Sequence, residues 1–336
     1  MTLTTIGDMS RSFALQRQTG DLKAALDRLS FEVTTGRSSD VADTVKGDYL
    51  PLNSIETSLK RLDHYRAALT EAGGFVEVGQ IALENVQNRA LQTGANLITV
   101  SQSAQVSVVG AVAREARAGL SSIISAINSQ IGGRGVFGGM TTDRPALAES
   151  DVMMSDIIAT ISGLTTANDI VTAVNDWFDT PGGGFETLGY TGSPDDLLPF
   201  DLGLGDTAEF GFRADDQEIR DVLKGFVLGS LPHKGASSLA AAERQSLTRQ
   251  AGEALLSADK TLAQYRADLG TTEATIDSAR ARNAAEASTL EIARADIVNV
   301  DQYAAAGELE SAQVQLEMLY AITARMSRLN LMEFLR

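Results

Sequence analysis

Apolar residues near the two ends of the chain recur at alternating intervals of three and four. Leu15, Leu22 and Leu29 interleave with Thr19, Leu26 and Val33. Leu309, Leu316 and Thr323 interleave with Ala312, Leu319 and Met326, and Leu329 follows in the same terminal helix. A spacing that averages about 3.5 residues keeps an apolar seam on one side of a helix, which needs a second helix to cover it in water. Ordinary domains end in polar, frayed segments. Helical seams at both ends therefore point to termini that serve as an assembly surface and lack a partner until helices meet.

Between the seams the pattern predicts further helices. Thr34-Thr35-Gly36-Arg37-Ser38-Ser39-Asp40 reads as a helix stop and connector, with Gly36 suited to the left-handed closing residue and Ser or Asp to the next cap. From Pro51 a three-four stripe runs through Ile55, Leu62, Leu69, Val76, Leu83, Ala90 and Leu97 to Val100. That is a rod on the order of 65 Å long at 1.5 Å per residue. Gly73-Gly74 is a place where it could kink. A third helix is expected from about Val108 to Gln130.

The texture changes near Pro145. Short helices are expected over Asp151 to Ile161 and Ala167 to Phe178, then Thr180-Pro181-Gly182-Gly183-Gly184 breaks the chain. Leu198, Phe200 and Leu202 alternate with small or polar neighbours, as do Ala208, Phe210 and Phe212, with Gly203-Leu204-Gly205-Asp206 between them: a hairpin. Helix resumes at Ser237 and runs to Arg336, with breaks expected at Gly270 and Gly307. A chain that goes out as helices, makes a mixed segment and returns as helices must pack antiparallel. The expected fold is mainly α, a long antiparallel helical bundle or coiled coil formed by both termini, with an inserted small α+β domain. The insert, bounded near Pro145 and His233, is expected to be dispensable for folding of the helices.

Composition narrows the chemistry. With 44 acidic against 28 basic residues the net charge is -16, which argues against nucleic acid, since phosphate binding needs a basic face, and disfavours an anionic membrane surface. No apolar run is long enough to span a bilayer. The first residues, MTLTTIGDMSRSF, have no basic segment followed by an apolar core and a cleavage site, so a protein that stays in the cytoplasm or leaves the cell by another route is expected. Absence of cysteine removes disulfides, thiolate catalysis and cysteine-ligated zinc. Only His64 and His233 exist, too far apart to share a metal from one helix face.

Gly133-Arg134-Gly135-Val136-Phe137-Gly138 spells the dinucleotide-binding glycine motif, but that motif needs a strand before and a helix after it. Here a helix precedes and a Pro-containing loop follows, so a tight turn with Phe137 packed on the bundle is the expectation. Asp201 to Asp206 lacks the length and terminal glutamate of a calcium loop. No cofactor is expected. Asp195, Asp196, Asp206, Asp215 and Asp216 supply carboxylates without a histidine or lysine at motif spacing, so an enzyme in residues 146–233 is not expected.

The segment Asn128 to Gly139, with Gly133, Arg134, Phe137 and Gly139 in a glycine-arginine-x-x-phenylalanine-x-glycine order and Pro145 beyond, resembles the hook-associated protein 3 family. These are the flagellin-like hook-filament junction proteins of bacteria. Leu29-Ser30 and Thr35-Gly36-Arg37 resemble the close of that family's first helix, and Gln313 to Leu335 its last helix. In place of the aspartate-proline pair that usually follows, this chain has Ser38-Ser39-Asp40-Val41.

The resemblance implies a terminal coiled-coil inner domain (residues 1–45 with 298–336), a helical bundle domain (46–145 with 234–297) and an outer α+β domain (146–233). It implies a non-enzymatic structural component of the bacterial flagellum, outside the cell, exported unfolded and joining hook to filament. Its partners would be other copies of itself, a neighbouring hook-associated protein, flagellin and an export chaperone. Flagellin itself, forming the filament, is the alternative.

Overall fold

The computed structural model describes residues 6–103, 105–236 and 238–334, without the side chains of 6–9, 12, 106 and 326–334. Helices hold 74% of the residues and the two sheets are two-stranded hairpins, so the fold is mainly α. Two compact units form, Met1–Arg61 with Ala285–Arg336, and Leu62–Ala284.

The second unit is built on α3 (Leu50–Ser101), α4 (Val106–Ile127), α7 (Gln217–Lys234) and α8 (Ala241–Val298), of which α3 and α8 also reach into the first unit. Helices α3 and α8 run antiparallel. Gln80 Nε2 donates to the Arg266 carbonyl at 3.0 Å and Gln87 Nε2 to the Asp259 carboxylate at 2.6 Å, while Arg266 donates back to both glutamine side-chain oxygens. Rising numbers on one helix meet falling numbers on the other, as the out-and-back reading requires.

Every residue of α7 from Val222 to Pro232 is buried. It packs on α4, and its glycines admit the two other helices: a Cβ on Gly225 would lie 2.6 Å from Leu255, and one on Gly229 2.8 Å from Leu97. A helix that is apolar all round belongs inside a core. This corrects the expectation that residues between Pro145 and His233 are dispensable, because α7 lies within them. Met153 on α5 (Ser150–Thr160), Trp177 and Phe178 on α6 (Ala167–Asp179), and Phe185 at the head of a π-helical turn (Phe185–Gly189) share that one core with Leu69, Phe75 and Leu255.

Two hairpins lie on the bundle. The first joins β1 (Gln130–Ile131) to β2 (Arg134–Gly135). The second joins β3 (Leu197–Gly203) to β4 (Asp206–Phe210), with register shifts between Leu197 and Phe200 and between Asp201 and Gly203. Phe200 and Phe210 close on Phe75 of α3, ring centres 5.9 and 6.0 Å away. Alternation along Phe200, Leu202, Ala208 and Phe210 is what turns one side of this ribbon inward.

Three expected interruptions are absent. Helix α3 passes unbroken through Gly73-Gly74, whose missing side chains make room for Arg280 and Ile131. Helix α8 passes through Gly270, and α9 (Gln302–Phe334) through Gly307, where each glycine faces open space. An exposed helical glycine costs only about 1 kcal/mol relative to alanine, too little to break helices this long. The break falls instead at Asn299-Val300-Asp301.

Candidate functional site

In the first unit, α1 (Ile6–Thr35) packs along α9. What aligns them is a pair of connectors that meet. Gly36 closes α1 with φ +71°, and its N–H donates to the Glu32 carbonyl at 2.8 Å. Arg37 then pairs with Asn299 in an antiparallel bridge. The buried Glu32 carboxylate accepts from both the backbone N–H and the hydroxyl of Ser39, at 3.2 and 3.0 Å. Asp40 caps the short α2 (Val41–Thr44) by accepting from the Ala42 and Asp43 amides. Thus Ser-Ser-Asp fixes the connector without an aspartate-proline pair.

Asp301 performs the same service for α9. Its carboxylate accepts from the Tyr303 and Ala304 amides, at 2.9 and 3.3 Å. An aspartate two residues before an amide donor is an N-cap pattern, and Asn299-Val300-Asp301 carried that signal, which the sequence reading passed over in favour of Gly307. Gln302 Nε2 donates to the Val33 carbonyl at 3.1 Å, tying the first turn of α9 to the last turn of α1.

The seam residues face between the two helices. Leu29 and Leu319 are buried, as are Ala305 and Ala312. Leu15, Leu22, Leu26 and Val33 on α1, and Leu309 and Leu316 on α9, are half-buried. Met326 and Leu329 lie outside the residues whose side chains are described. Two helices alone cannot enclose a seam on every side, which is why six of these positions keep part of their apolar surface in water.

A second set of apolar residues is left exposed among the described residues. Val314, Met318 and Ile322 are exposed and spaced by four, so they form a stripe on α9 turned well away from Ala312 and Leu319. Met318 is 60% exposed and Tyr303 93%. On α1, Phe13 and Phe31 are exposed and five helical turns apart on the face opposite Leu22 and Leu29. The three-four count missed this set because it followed one stripe per helix.

In the second unit, each residue of the glycine-arginine segment has a mechanical task. Asn128 exchanges two hydrogen bonds with the Leu147 backbone, donating at 2.9 Å and accepting at 2.8 Å. Gly132 and Gly133 turn the β1–β2 hairpin with positive φ. Arg134 pairs with Glu71 and lies over the Phe75 ring. Phe137 is fully buried and its carbonyl accepts from Ala214. Gly139, with φ +59°, sits where any Cβ would collide with the Asp195 carbonyl. This is the expected tight turn packed on the bundle.

Four of the aspartates between 195 and 216 are paired with arginine. Arg213 pairs with Asp196, Asp215 and Asp216, and Asp206 with Arg282. Tyr265 of α8 donates to Asp216 at 2.5 Å. Burial first, then the neighbouring Asp216 charge, pushes the Tyr265 hydroxyl well above its ordinary value. Burial also raises Asp216 itself, against the pull of the Tyr265 hydroxyl and the Arg213 backbone and charge. His64 and His233 are both exposed and far apart in sequence on α3 and α7.

Residues 253–335 match the family model of the bacterial flagellin C-terminal helical region. In these C-terminal helices the chain is similar to the bacterial flagellins. Its fold is shared with a solved structure from Vibrio parahaemolyticus described as a flagellar hook-associated protein. The two are 12% identical, the match covers 75% of this chain and 99% of that one, and the TM-score is 0.52. No curated protein matches the sequence. Among the described residues no helix is long and apolar enough to cross a membrane.

Proposed function

We propose that this chain is a structural component of the bacterial flagellum, outside the cell: a hook-filament junction protein that joins hook to filament by self-assembly of its terminal helices. The observation that carries the proposal is the pairing of α1 with α9, with Met318 and its neighbours left exposed; in this reading residues 1–45 with 298–336 act as the inner assembly domain. Paired helices present two kinds of apolar surface to a second copy. The half-buried Leu15, Leu22, Leu26, Val33, Leu309 and Leu316 offer the flanks of the seam, and Val314, Met318 and Ile322 offer a separate stripe. Burying an exposed Met or Leu side chain contributes on the order of 1.5–3 kcal/mol, and in an assembly the gain recurs at every contact between copies.

Junction is favoured over filament by the resemblance of Asn128, Gly133, Arg134, Phe137 and Gly139 to the hook-associated segment, here built into a hairpin on the bundle. The neighbours would then be a hook-associated protein on one side and flagellin on the other, with an export chaperone escorting the unfolded chain. The rival reading, flagellin, rests on the match of residues 253–335. Copy number separates the two. Sheared filaments should contain this chain as a trace component, and gold-labelled antibody should mark the end where filament meets hook. A preparation in which this chain is the dominant protein along the whole filament overturns the junction reading.

A further inference from the structure

One cleft in the second unit has the opposite charge to the rest of the chain. Arg114 and Arg117 on α4, His233 and Lys234 at the end of α7, and Asp151 and Met154 on α5 line a cavity of about 280 Å³. Arg117 pairs with Asp151, so one guanidinium in the cleft already holds a carboxylate. Arg114, one turn away on the same face, has no counter-charge, and neither have His233 and Lys234 among the described residues. Cations in the last turn of a helix are favoured by its dipole, which accounts for His233 and Lys234. It does not account for two arginines in the middle of α4 converging on the same space, where like charges repel.

We propose that this cleft is a contact between copies of the chain, in which Arg114 and Lys234 receive carboxylate side chains of a second copy. The proposal rests on the self-assembly reading above. The cleft falls just below the range of about 300–1,000 Å³ for small-molecule sites, and its size suits one or two acidic side chains. A chain with 44 acidic and 28 basic residues repels its own copies, so assembly is aided wherever acid on one copy meets uncompensated base on the next. Every copy supplies the acid in excess. Where those carboxylates lie outside the cleft, the two contacting surfaces differ and the contact is head-to-tail, the kind that propagates into a ring or a helical layer.

The test mixes unlabelled and nitrogen-15-labelled full-length protein, concentrates it until light scattering rises, and treats it with a carbodiimide that couples amines only to carboxylates in contact. Mass spectrometry then finds which cross-links join a labelled to an unlabelled copy. Lys234 is expected among the mixed cross-links. Its yield should fall at least tenfold in Arg114→Glu, and likewise in about 1 M salt, where the screening length is only about 3 Å. Lys234 cross-links confined to single copies, or mixed ones indifferent to Arg114→Glu, overturn the proposal. Lys23 on α1 reports separately on the terminal helices. Mixed cross-links from Lys23 without Lys234 remove the cleft and leave terminal assembly standing; the reverse result removes terminal assembly. No mixed cross-links or no association at any concentration removes both.

Discussion

The Val300 N–H donates to the Gly36 carbonyl across 3.0 Å, and the Ser38 N–H answers by donating to the Val298 carbonyl at 2.9 Å. These two bonds hold the break after α1 level with the break before α9, so the alignment of the terminal helices is set at the connectors as well as along the seam. Gly36 is the hinge of that arrangement. It takes φ +71°, and a Cβ there would lie 3.1 Å from Gln302 Nε2. Gly36→Ala is expected to cost about 1–2 kcal/mol, the penalty of a left-handed L-residue. Hydrogen exchange of the first α9 amides should accelerate while that of α4 and α7 stays as in the parent. Unchanged exchange near Gln302 would show that the seam alone aligns the helices.

Phe226 is fully buried on α7 and lies 2.5 Å from where a Cβ on Gly119 would sit. Phe226→Ala should therefore destabilise the protein by roughly 3–5 kcal/mol, measured by denaturant unfolding. Replacing residues 150–232 by a short Gly-Ser linker should yield a molten or aggregated product. Retention of a sharp thermal transition after that deletion would show that α3, α4 and α8 close a core without α7.

Asp216 supplies a test by pH. Burial raises its folded value above the ordinary 3.8, so the folded state holds the proton more tightly than the unfolded chain. The resulting stability is fully present below pH 3.8 and is lost as pH rises through the raised folded value. Urea unfolding across pH 3 to 7, compared between the parent and Asp216→Asn, should show a downward slope with pH in the parent that the variant lacks. Parallel profiles would mean that Asp216 ionises alike in both states.

Much of this was legible in the residues. The three-four stripe located α3 between Leu62 and Leu97, alternation located the ribbon from Phe200 to Phe210, and Gly36 announced the end of α1, because each signal is local. What escaped was long-range. Nothing in the order Gln217 to Lys234 tells a helix inside an inserted segment that it will be the buried centre of the bundle; its mostly apolar run from Val222 to Pro232, interrupted only by Lys224 and Ser230, was the one available hint. Gly270 and Gly307 misled because a glycine ends a helix only where the fold requires positive φ, and neither takes it. The outer stripe of Met318 was overlooked because the seam at Leu319, one residue on, already satisfied the helical count.

That neighbouring pair carries the central claim. Leu319 is 6% exposed, covered within the chain, whereas Met318 is 60% exposed. Leu319→Asp removes buried packing and adds an unpaired charge, so it should separate α9 from α1 at a cost of roughly 2–5 kcal/mol. Met318→Asp replaces a largely exposed side chain and should change the stability of the monomer by no more than about 0.5 kcal/mol.

The most direct measurement is electron microscopy of cells that make Met318→Asp as their sole copy, after the purified variant has been shown to melt with the parent. The expected picture is intact hooks on the cell, no attached filaments, and filament protein in the medium. Full-length filaments on motile cells would contradict the account, because the uncovered face of α9 would then have no part in assembly.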